Sequence, residues 1–279
     1  MSGNAIVNIS GYRFVRLDNL HNLQHVLNGL LSEAGVKGSV VLAEEGINVT
    51  LAGELYAVES AMRAFDSQPS LRDIWFKRSL SSWVPHKRLR VRIRKQIIGF
   101  DEPVSVTGES KVAKGVAPSI TSGQLKRWLD TNRQFTLLDT RNDYEIESGT
   151  FRQAKHLDIK HFRHFASAAS GAIERGELDI SLPVVAFCTG GIRCEKAGPW
   201  LVEQGFREVY QVQGGVINYL QETQGEHWDG ECFVFDERVE LDRNLQPTGA
   251  GLCEHCQLAV PKGTECRCHL GPHYHASDA

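Results

Sequence analysis

The loop at 188–194, Cys-Thr-Gly-Gly-Ile-Arg-Cys, combines residue types that can activate a thiol. An apolar run at 182–187 predicts a buried strand that ends at Cys188, and a helix is predicted to begin directly after the loop. The paired glycines let the backbone turn its N–H groups toward the sulfur, while Arg193 and the helix N-terminus add positive potential. We therefore predict that Cys188 is a catalytic nucleophile and that Arg193 stabilises its anion. The residues between them are Thr189, Gly190, Gly191 and Ile192.

Both cysteines of this loop have a second interpretation. Cys188 is alternatively an inert core residue, which is the commoner fate of a lone intracellular cysteine. The glycines and the arginine beside it favour the chemical role. Cys194 either resolves an oxidised or persulfidated Cys188 or only packs at the start of the helix.

Residues 77–95 concentrate positive charge, with eight Lys or Arg and no Asp or Glu. The rest of the chain holds 23 basic against 34 acidic residues, so a nucleic acid partner is expected to bind this segment. Apolar and basic residues alternate along 89–94, which predicts a strand with one outward row of arginines, and Trp83 and His86 add stacking surfaces. The alternative is an edge strand protected from aggregation by its charge. The predicted RNA-binding residues are Lys87, Arg88, Arg90, Arg92, Arg94 and Lys95.

Four of the seven cysteines crowd the end of the chain. A Cys-x2-Cys pair is a good half-site for tetrahedral zinc, and a less standard Cys-x-Cys pair follows it. The alternative is a flexible tail without metal. The predicted ligands of a structural zinc are Cys253, Cys256, Cys266 and Cys268. Nearby histidines, of which His269 could replace a thiol, are His255, His269, His273 and His275. The isolated Cys232 is predicted to lie in the core.

The first 98 residues predict a ferredoxin-like α+β domain with the element order β-α-β-β-α-β. The predicted strand regions are 5–17, 40–43, 47–51 and 74–98, and the predicted helices are 20–31 and 54–66. A Gly- and Pro-containing segment at 99–120 predicts a linker. From 121 to 225 short apolar strands alternate with helical patterns, which predicts a parallel α/β sheet. Residues 226–279 form a C-terminal extension that ends in the Cys-rich tail.

The whole-chain composition is that of a globular protein. With 279 residues, 41% of them apolar, and a net charge of −3, two domains with sizeable cores are expected. The apolar runs are far shorter than a membrane span, and the N-terminus lacks the pattern of a secretory signal. We therefore expect a cytoplasmic protein with neither a membrane nor a DNA partner.

Several motifs of the second domain resemble a rhodanese domain. They are Asp139-Thr140-Arg141 after a strand, Tyr144-Glu145, Gly149, the loop at 188–193 and GFREVYQVQGG at 205–215. In rhodaneses the loop cysteine is the nucleophile and often carries a persulfide, and the resemblance implies that Asp139, Arg141 and Glu145 brace the loop. The Cys-x4-Arg loop suits sulfur or another small ligand better than the phosphate that Cys-x5-Arg phosphatases of the same fold hold.

A longer resemblance covers about 1–240. The motifs EEGIN at 44–48, WVPHKRLRVRIRK at 83–95, CTGGIRCEK at 188–196 and FVFDERV at 233–239 resemble, in this order, the bacterial tRNA uridine hydroxylase family. That resemblance implies an acylphosphatase-like N-terminal domain joined to a rhodanese domain. It also implies hydroxylation of the wobble uridine in the tRNA anticodon loop to 5-hydroxyuridine, with molecular oxygen as co-substrate.

The principal alternative function is a thiosulfate-type sulfurtransferase that carries sulfur as a persulfide on Cys188. The rhodanese loop by itself favours this activity, whereas the basic strand and the extra N-terminal domain favour RNA. A non-catalytic rhodanese-fold binding module is a third class, which the presence of Cys188 disfavours.

Overall fold

The N-terminal domain is a five-stranded sheet with two helices packed on one face. The computed structural model describes residues 5–102, 117–266 and 268. The N-terminal elements are β1 (Ile6–Phe14), α1 (Leu20–Ala34), β2 (Lys37–Ala43), β3 (Gly46–Gly53), α2 (Leu55–Asp66), β4 (Lys77–Ser81) and β5 (Leu89–Ile93). The sheet order is β4-β1-β3-β2-β5, antiparallel except for the parallel pair β2–β5. This is the predicted ferredoxin-like plan with one added edge strand.

The single strand region predicted at 74–98 is in fact two strands on opposite edges of the sheet. β4 pairs with β1, whereas β5 pairs with β2. The residues between them, 82–88, therefore travel from one edge to the other. Sequence periodicity indicates strand structure in both β4 and β5, but it does not indicate which edge of the sheet each strand occupies.

Alternation along β1 gives the sheet two different faces. Val7 and Ile9 pack into the core beneath the helices, with α2 contacting β1 and β3. Asn8, Ser10 and Tyr12 consequently point to the opposite face, because successive strand residues alternate sides. We call this second surface the helix-free face.

The second domain has a parallel four-stranded sheet in the order β6-β10-β9-β7. Helices cover both sides, and apolar clusters fill the space on each side of the buried strands. The elements are β6 (Ser119–Ile120), α3 (Ser122–Asp130), β7 (Thr136–Asp139), α4 (Asp143–Ile146), β8 (Gly149–Phe151), α5 (Phe165–Glu174), β9 (Val184–Phe187), α6 (Cys194–Glu203), β10 (Val209–Val212) and α7 (Gly215–Thr223). The predicted fold class, an α+β domain followed by a rhodanese-like α/β domain, is confirmed.

The segments before and after the second domain each contribute a strand that pairs with a strand of that domain. Of the predicted linker 99–120, residues 103–116 lie outside the described part of the chain, and its end, Ser119–Ile120, forms β6. In the C-terminal extension, β11 pairs antiparallel with β8 of the second domain. The elements of this extension are β11 (Trp228–Gly230), β12 (Cys232–Phe233), β13 (Glu240–Leu241), β14 (Gly251–Leu252) and β15 (Ala259–Val260). No helix among the described residues is long and apolar enough to cross a membrane.

A buried ion pair connects the two domains. The Lys196 ammonium, 2% exposed, lies 2.9 Å from a carboxylate oxygen of Glu45 and donates to the carbonyl of Ile98 at 3.0 Å. Glu45 also accepts the backbone N–H of Ile97 at 2.8 Å. The contact joins the EEGIN motif, which contains Glu45, to the CTGGIRCEK motif, which contains Lys196. It holds the helix-free face against the loop at 188–193.

Candidate active site

Cys188 lies at the carboxyl end of the buried strand β9, directly before the loop. Its side chain is fully buried, and the backbone N–H of Gly191 donates to the sulfur at 3.1 Å. Gly191 adopts φ of 100°, a conformation that turns this N–H inward and that favours glycine. The sulfur is therefore held by backbone donors, as the paired glycines predict.

The electrostatic surroundings favour a thiolate at this position. Burial alone would raise the pKa of the Cys188 thiol. The hydrogen bond from Cys194, the charge of Arg193 and nearby backbone N–H groups outweigh burial, so the pKa of Cys188 lies below its ordinary value. Burial and the neighbouring Cys188 raise the pKa of Cys194 well above its ordinary value, which keeps Cys194 protonated as the donor.

Glu145 is the centre of the network that braces the loop. The two guanidinium nitrogens of Arg193 each donate to a Glu145 oxygen at 2.6 Å, and the Thr189 hydroxyl donates to the same carboxylate at 3.1 Å. The backbone N–H of Asn142 adds a fourth bond at 3.1 Å. The guanidinium of Arg193 therefore binds Glu145. Arg193 acts on Cys188 through its positive charge and its backbone N–H, and not through a side-chain hydrogen bond.

Asp139 and Arg141 form a second buried pair behind this network. Both side chains are inaccessible to solvent, and Arg141 donates to both Asp139 oxygens at distances of 2.7 to 3.1 Å. Arg141 also donates to the carbonyls of Glu145 and Gly149, at 3.3 and 2.6 Å. The pair consequently ties the end of β7 to α4 and β8, and neither side chain forms a hydrogen bond with the sulfur of Cys188.

A cavity of about 390 Å³ separates the loop from the helix-free face, and Cys188 lies in its wall. The Tyr12 hydroxyl donates to a Glu195 oxygen at 3.0 Å, and the Lys77 ammonium donates to the Gly190 carbonyl at 2.8 Å. Both side chains come from the N-terminal domain. The cavity is therefore built from two domains, and the N-terminal sheet supplies the wall that faces the loop.

Lys77 brings an almost buried positive charge to this cavity. Its side chain is 6% exposed, and its ammonium lies 5.1 and 5.2 Å from the ring centroids of Tyr12 and Trp75. Burial lowers the pKa of Lys77 to about 8, although Cys188 and Glu195 act in the opposite direction. Within the described residues no carboxylate forms an ion pair with this ammonium. Its charge is thus available to balance an anion in the cavity.

The C-terminal extension supplies a third wall. Arg238 pairs with Asp236 through bonds of 2.8 and 2.6 Å and donates to the Ser79 hydroxyl of β4 at 2.7 Å. Phe235, between these elements and the loop, is 61% exposed and lines the cavity, with its ring centroid 5.7 Å from the Arg193 guanidinium. An exposed aromatic ring at a cavity edge is a natural stacking surface for a planar ligand.

These features define what the site can do. A stabilised thiolate can add to an electron-poor carbon, and the buried cation with the loop N–H groups can stabilise the anion that forms. Polar groups on the sheet and an aromatic edge suit a flat, hydrogen-bonding ligand better than a small inorganic anion.

Comparison with known proteins shows the same two-domain organisation. Residues 6–97 match the UPF0176 acylphosphatase like domain, and residues 121–222 match the rhodanese-like domain. The tRNA uridine(34) hydroxylase of Cupriavidus necator is 41% identical over 274 residues, 96% of this chain and 93% of that protein. The protein of the same name from Bordetella petrii is 42% identical over 253 residues, 88% of this chain and 96% of that protein.

This chain belongs to the tRNA uridine(34) hydroxylase family. The resemblance inferred from the four motifs is thereby confirmed. In this family member three of those motifs contribute lining residues to the cavity: Asn48 from EEGIN, the loop at 188–193, and residues of the segment 233–239.

The basic segment of this tRNA uridine(34) hydroxylase family member borders a second, larger cavity of about 1060 Å³. On β5, Leu89, Val91 and Ile93 pack against the core, so the arginines between them project from the helix-free face. The basic residues that line the cavity are Lys87, Arg88, Arg90 and Arg92. Arg94 and Lys95 are exposed and do not line this second cavity. Of the two predicted stacking residues, His86 lines the second cavity, whereas Trp83 lines neither cavity.

The four tail cysteines come together as the spacing predicts. Their sulfur atoms all lie within 4.8 Å of one another, with a Cys256–Cys266 distance of 3.3 Å and a Cys253–Cys268 distance of 3.5 Å. Tetrahedral zinc with thiolate ligands requires sulfur atoms at about this separation. His269, His273 and His275 lie outside the described residues. Cys232 is fully buried, and burial raises its pKa to about 12, which agrees with the predicted core position.

The sequence interpretation missed Tyr12, Lys77 and Phe235 as site residues. Alternation along β1 indicates a polar face that includes Tyr12, but an antiparallel sheet commonly exposes such a face to water, so the alternation does not indicate a site. Lys77 belongs to the basic segment 77–95 in sequence, but its ammonium donates to the Gly190 carbonyl of the loop. Phe235 shows no pattern that separates it from a core aromatic residue.

Proposed function

We propose that this protein hydroxylates the wobble uridine of tRNA at carbon 5, with Cys188 as the nucleophile and molecular oxygen as the oxygen source. The observation that carries the proposal is the Cys188 sulfur, held by a backbone donor at 3.1 Å in the wall of a cavity that a second domain closes. The membership of the tRNA uridine(34) hydroxylase family supports the same substrate. A tRNA substrate also implies action in the cytoplasm.

Thiolate addition explains why this chemistry requires such a site. The Cys188 sulfur forms a bond to carbon 6 of uracil, and the carbon 5–carbon 6 electron pair moves toward oxygen 4 as an enolate. Carbon 5 then bonds to an oxygen atom derived from O2, loses its proton, and the thiolate leaves carbon 6. Insertion of one oxygen atom also consumes two electrons and two protons from an external reductant, and the second oxygen atom leaves as water.

The residues around the cavity suit these steps. The Lys77 ammonium and the loop N–H groups lie beside Cys188 at the cavity, and such fixed donors stabilise an anion without reorganisation. The uracil must leave its stack to reach the sulfur, which costs least in a single-stranded anticodon loop. This requirement supports the anticodon loop as the part of tRNA that binds.

Nucleoside mass spectrometry tests the proposal directly. Purified protein, tRNA, a reductant and isotopically labelled dioxygen should yield 5-hydroxyuridine that carries the label. Transfer of sulfur from thiosulfate to a thiol acceptor without any change in uridine would instead support the sulfurtransferase alternative. Label from water rather than from dioxygen would contradict the proposed oxygen source.

Charge reversal on β5 should weaken binding of tRNA. Replacing Arg90, Arg92 and Arg94 with glutamate removes three positive charges and adds three negative ones at the basic surface. We expect affinity to fall by more than about a hundredfold at low salt and its salt dependence to flatten, because fewer counterions are released. Fluorescence anisotropy with labelled tRNA across a salt series measures both quantities.

A matched triple variant controls for net charge. Arg152, Arg175 and Arg207 are exposed in the second domain and line neither cavity. Their replacement by glutamate changes the total charge equally and should leave much of the affinity intact. Equal losses of tRNA affinity in the two triple variants would contradict RNA binding by β5 and would favour the alternative of a charged edge strand.

We also propose that the tail holds a structural zinc ion. Cys253, Cys256, Cys266 and Cys268 present four thiols in the separation that a tetrahedral site requires. The ion would cross-link the β14–β15 hairpin to the chain that follows it. Its contribution is to stability of the extension, since the cluster does not line the cavity around Cys188.

Metal analysis of the purified protein should find about one zinc per chain. Replacing Cys256 and Cys266 with serine should remove that zinc, whereas Cys232→Ser, which alters a buried thiol outside the cluster, should retain it. Wild-type protein that purifies without zinc and takes up none from solution would contradict the proposal.

A further inference from the structure

Five polar side chains form one continuous row across the helix-free face. Paired residues in neighbouring strands share a face of the sheet, so the register places them side by side. The pairs, from one edge to the other, are Lys77–Ser10, Ser10–Thr50, Thr50–Ser39 and Ser39–Arg90. At roughly 4.8 Å between strands, the row extends about 19 Å. It leads from the loop at 188–193 to the basic strand β5.

The row runs from one cavity to the other, and the two cavities are adjacent. Lys77 and Ser10 line the first cavity, Ser39 and Arg90 line the second, and Thr50 lines both. The other residues common to the two cavities are His161, Val234, Phe235 and Asp236. The sheet therefore supplies one side of the boundary between the two cavities, and the segment 233–236 with His161 supplies the other.

The segment 233–236 presents an aromatic ring at this boundary. Phe235 is 61% exposed although it lies among other rings, with centroid distances of 5.4 Å to Phe233 and 6.5 Å to Tyr144. These neighbours hold the ring in place at the junction of the cavities. A fixed, exposed ring beside a row of polar side chains is the arrangement in which proteins stack an unpaired base.

We propose that the nucleotides flanking the target uridine lie along this row as single-stranded RNA, from β5 to Cys188. The charged ends of the row, Lys77 and Arg90, face phosphate or the reacting base, while the hydroxyl groups between them contact the RNA backbone. Phe235 stacks on a flanking base. This inference rests on the proposed function and adds the path by which the RNA reaches the sulfur.

A bulky substitution at the junction tests the path. Thr50→Phe adds bulk at the boundary between the cavities without touching the loop, so KM for an anticodon stem-loop RNA should rise about tenfold or more, as expected for loss of a stacking or phosphate contact. The rate at which iodoacetamide alkylates Cys188 should stay within about twofold of wild type, because a small reagent does not need the row. Ser32→Phe, on α1 behind the sheet, is the control and should leave KM unchanged.

Cross-linking of the unaltered protein provides a second, independent readout. A stem-loop with 4-thiouridine beside the target should, on irradiation, cross-link to the peptides that contain Ser39, Thr50 or Phe235. Cross-links confined to other surfaces, or a wild-type KM in a folded Thr50→Phe variant, would overturn the inference. Because cross-linking requires no turnover, it tests the path even if uridine is not hydroxylated, so failure of the path and failure of the proposed function are distinguishable.

Discussion

Cys188→Ser should abolish formation of 5-hydroxyuridine while the protein remains folded. Serine has nearly the size of cysteine, and its hydroxyl oxygen can accept a hydrogen bond from the Gly191 N–H. The buried position therefore keeps its contacts. Its hydroxyl, however, is not ionised near neutral pH and cannot replace the thiolate as a nucleophile. Nucleoside mass spectrometry of tRNA after reaction measures the loss, and thermal unfolding confirms the fold.

RNA that bears 5-fluorouridine at the target position separates two chemical routes. Fluorine cannot leave carbon 5 as a proton does, so thiolate addition should trap a covalent complex with wild-type protein and none with Cys188→Ser. Absence of an adduct, together with a persulfide or sulfenate detected on Cys188, would favour oxygen transfer by the sulfur itself. Near-full activity of Cys188→Ser would show that the nucleophile lies elsewhere.

Cys194→Ala separates a supporting thiol from a required one. It removes the hydrogen bond that lowers the pKa of Cys188, so the pH midpoint for alkylation of Cys188 should shift upward. Activity at neutral pH should fall less than in Cys188→Ser. Complete loss in both variants would indicate instead that the reaction needs a dithiol pair.

Glu145→Gln should destabilise the protein far more than the loss of an exposed charge. The substitution preserves size but leaves the Arg193 guanidinium buried without its counter-charge, since the two side chains are 5% and 0% exposed. Breaking a buried pair in this way costs about 3–5 kcal/mol in the free energy of unfolding. Urea denaturation monitored by circular dichroism measures it. Activity should fall about a hundredfold as well, because the loop loses the acceptor that orients it.

Two further variants make this result interpretable. Glu177→Gln removes the carboxylate of an exposed ion pair with Arg175 and should change stability little. Glu145→Gln combined with Arg193→Met removes both charges and should recover part of the stability lost in the single variant. A single Glu145→Gln variant as stable as wild type would show that the pair does not hold the loop.

The local chemistry of the site could be predicted from short stretches of sequence. A strand that ends in Cys188, two glycines and an arginine specify a turn with inward N–H groups, because each of these residues acts on its immediate neighbours. The alternation along 89–93 likewise predicts which side chains of β5 leave the core, and the structure agrees. The spacing of the four tail cysteines predicts a cluster for the same local reason.

Sequence alone is therefore enough to predict the types of element and to single out Cys188 as the candidate nucleophile, since periodicity and turn chemistry act over a few residues. Tertiary structure alone decided that β4 and β5 take opposite edges, which turns Lys77 toward the loop and Arg90 toward the second cavity. It also decided that the guanidinium of Arg193 binds Glu145, 48 residues away. Such contacts depend on sheet order and on domain packing. These bring together residues that are distant along the chain, and short sequence patterns do not encode them.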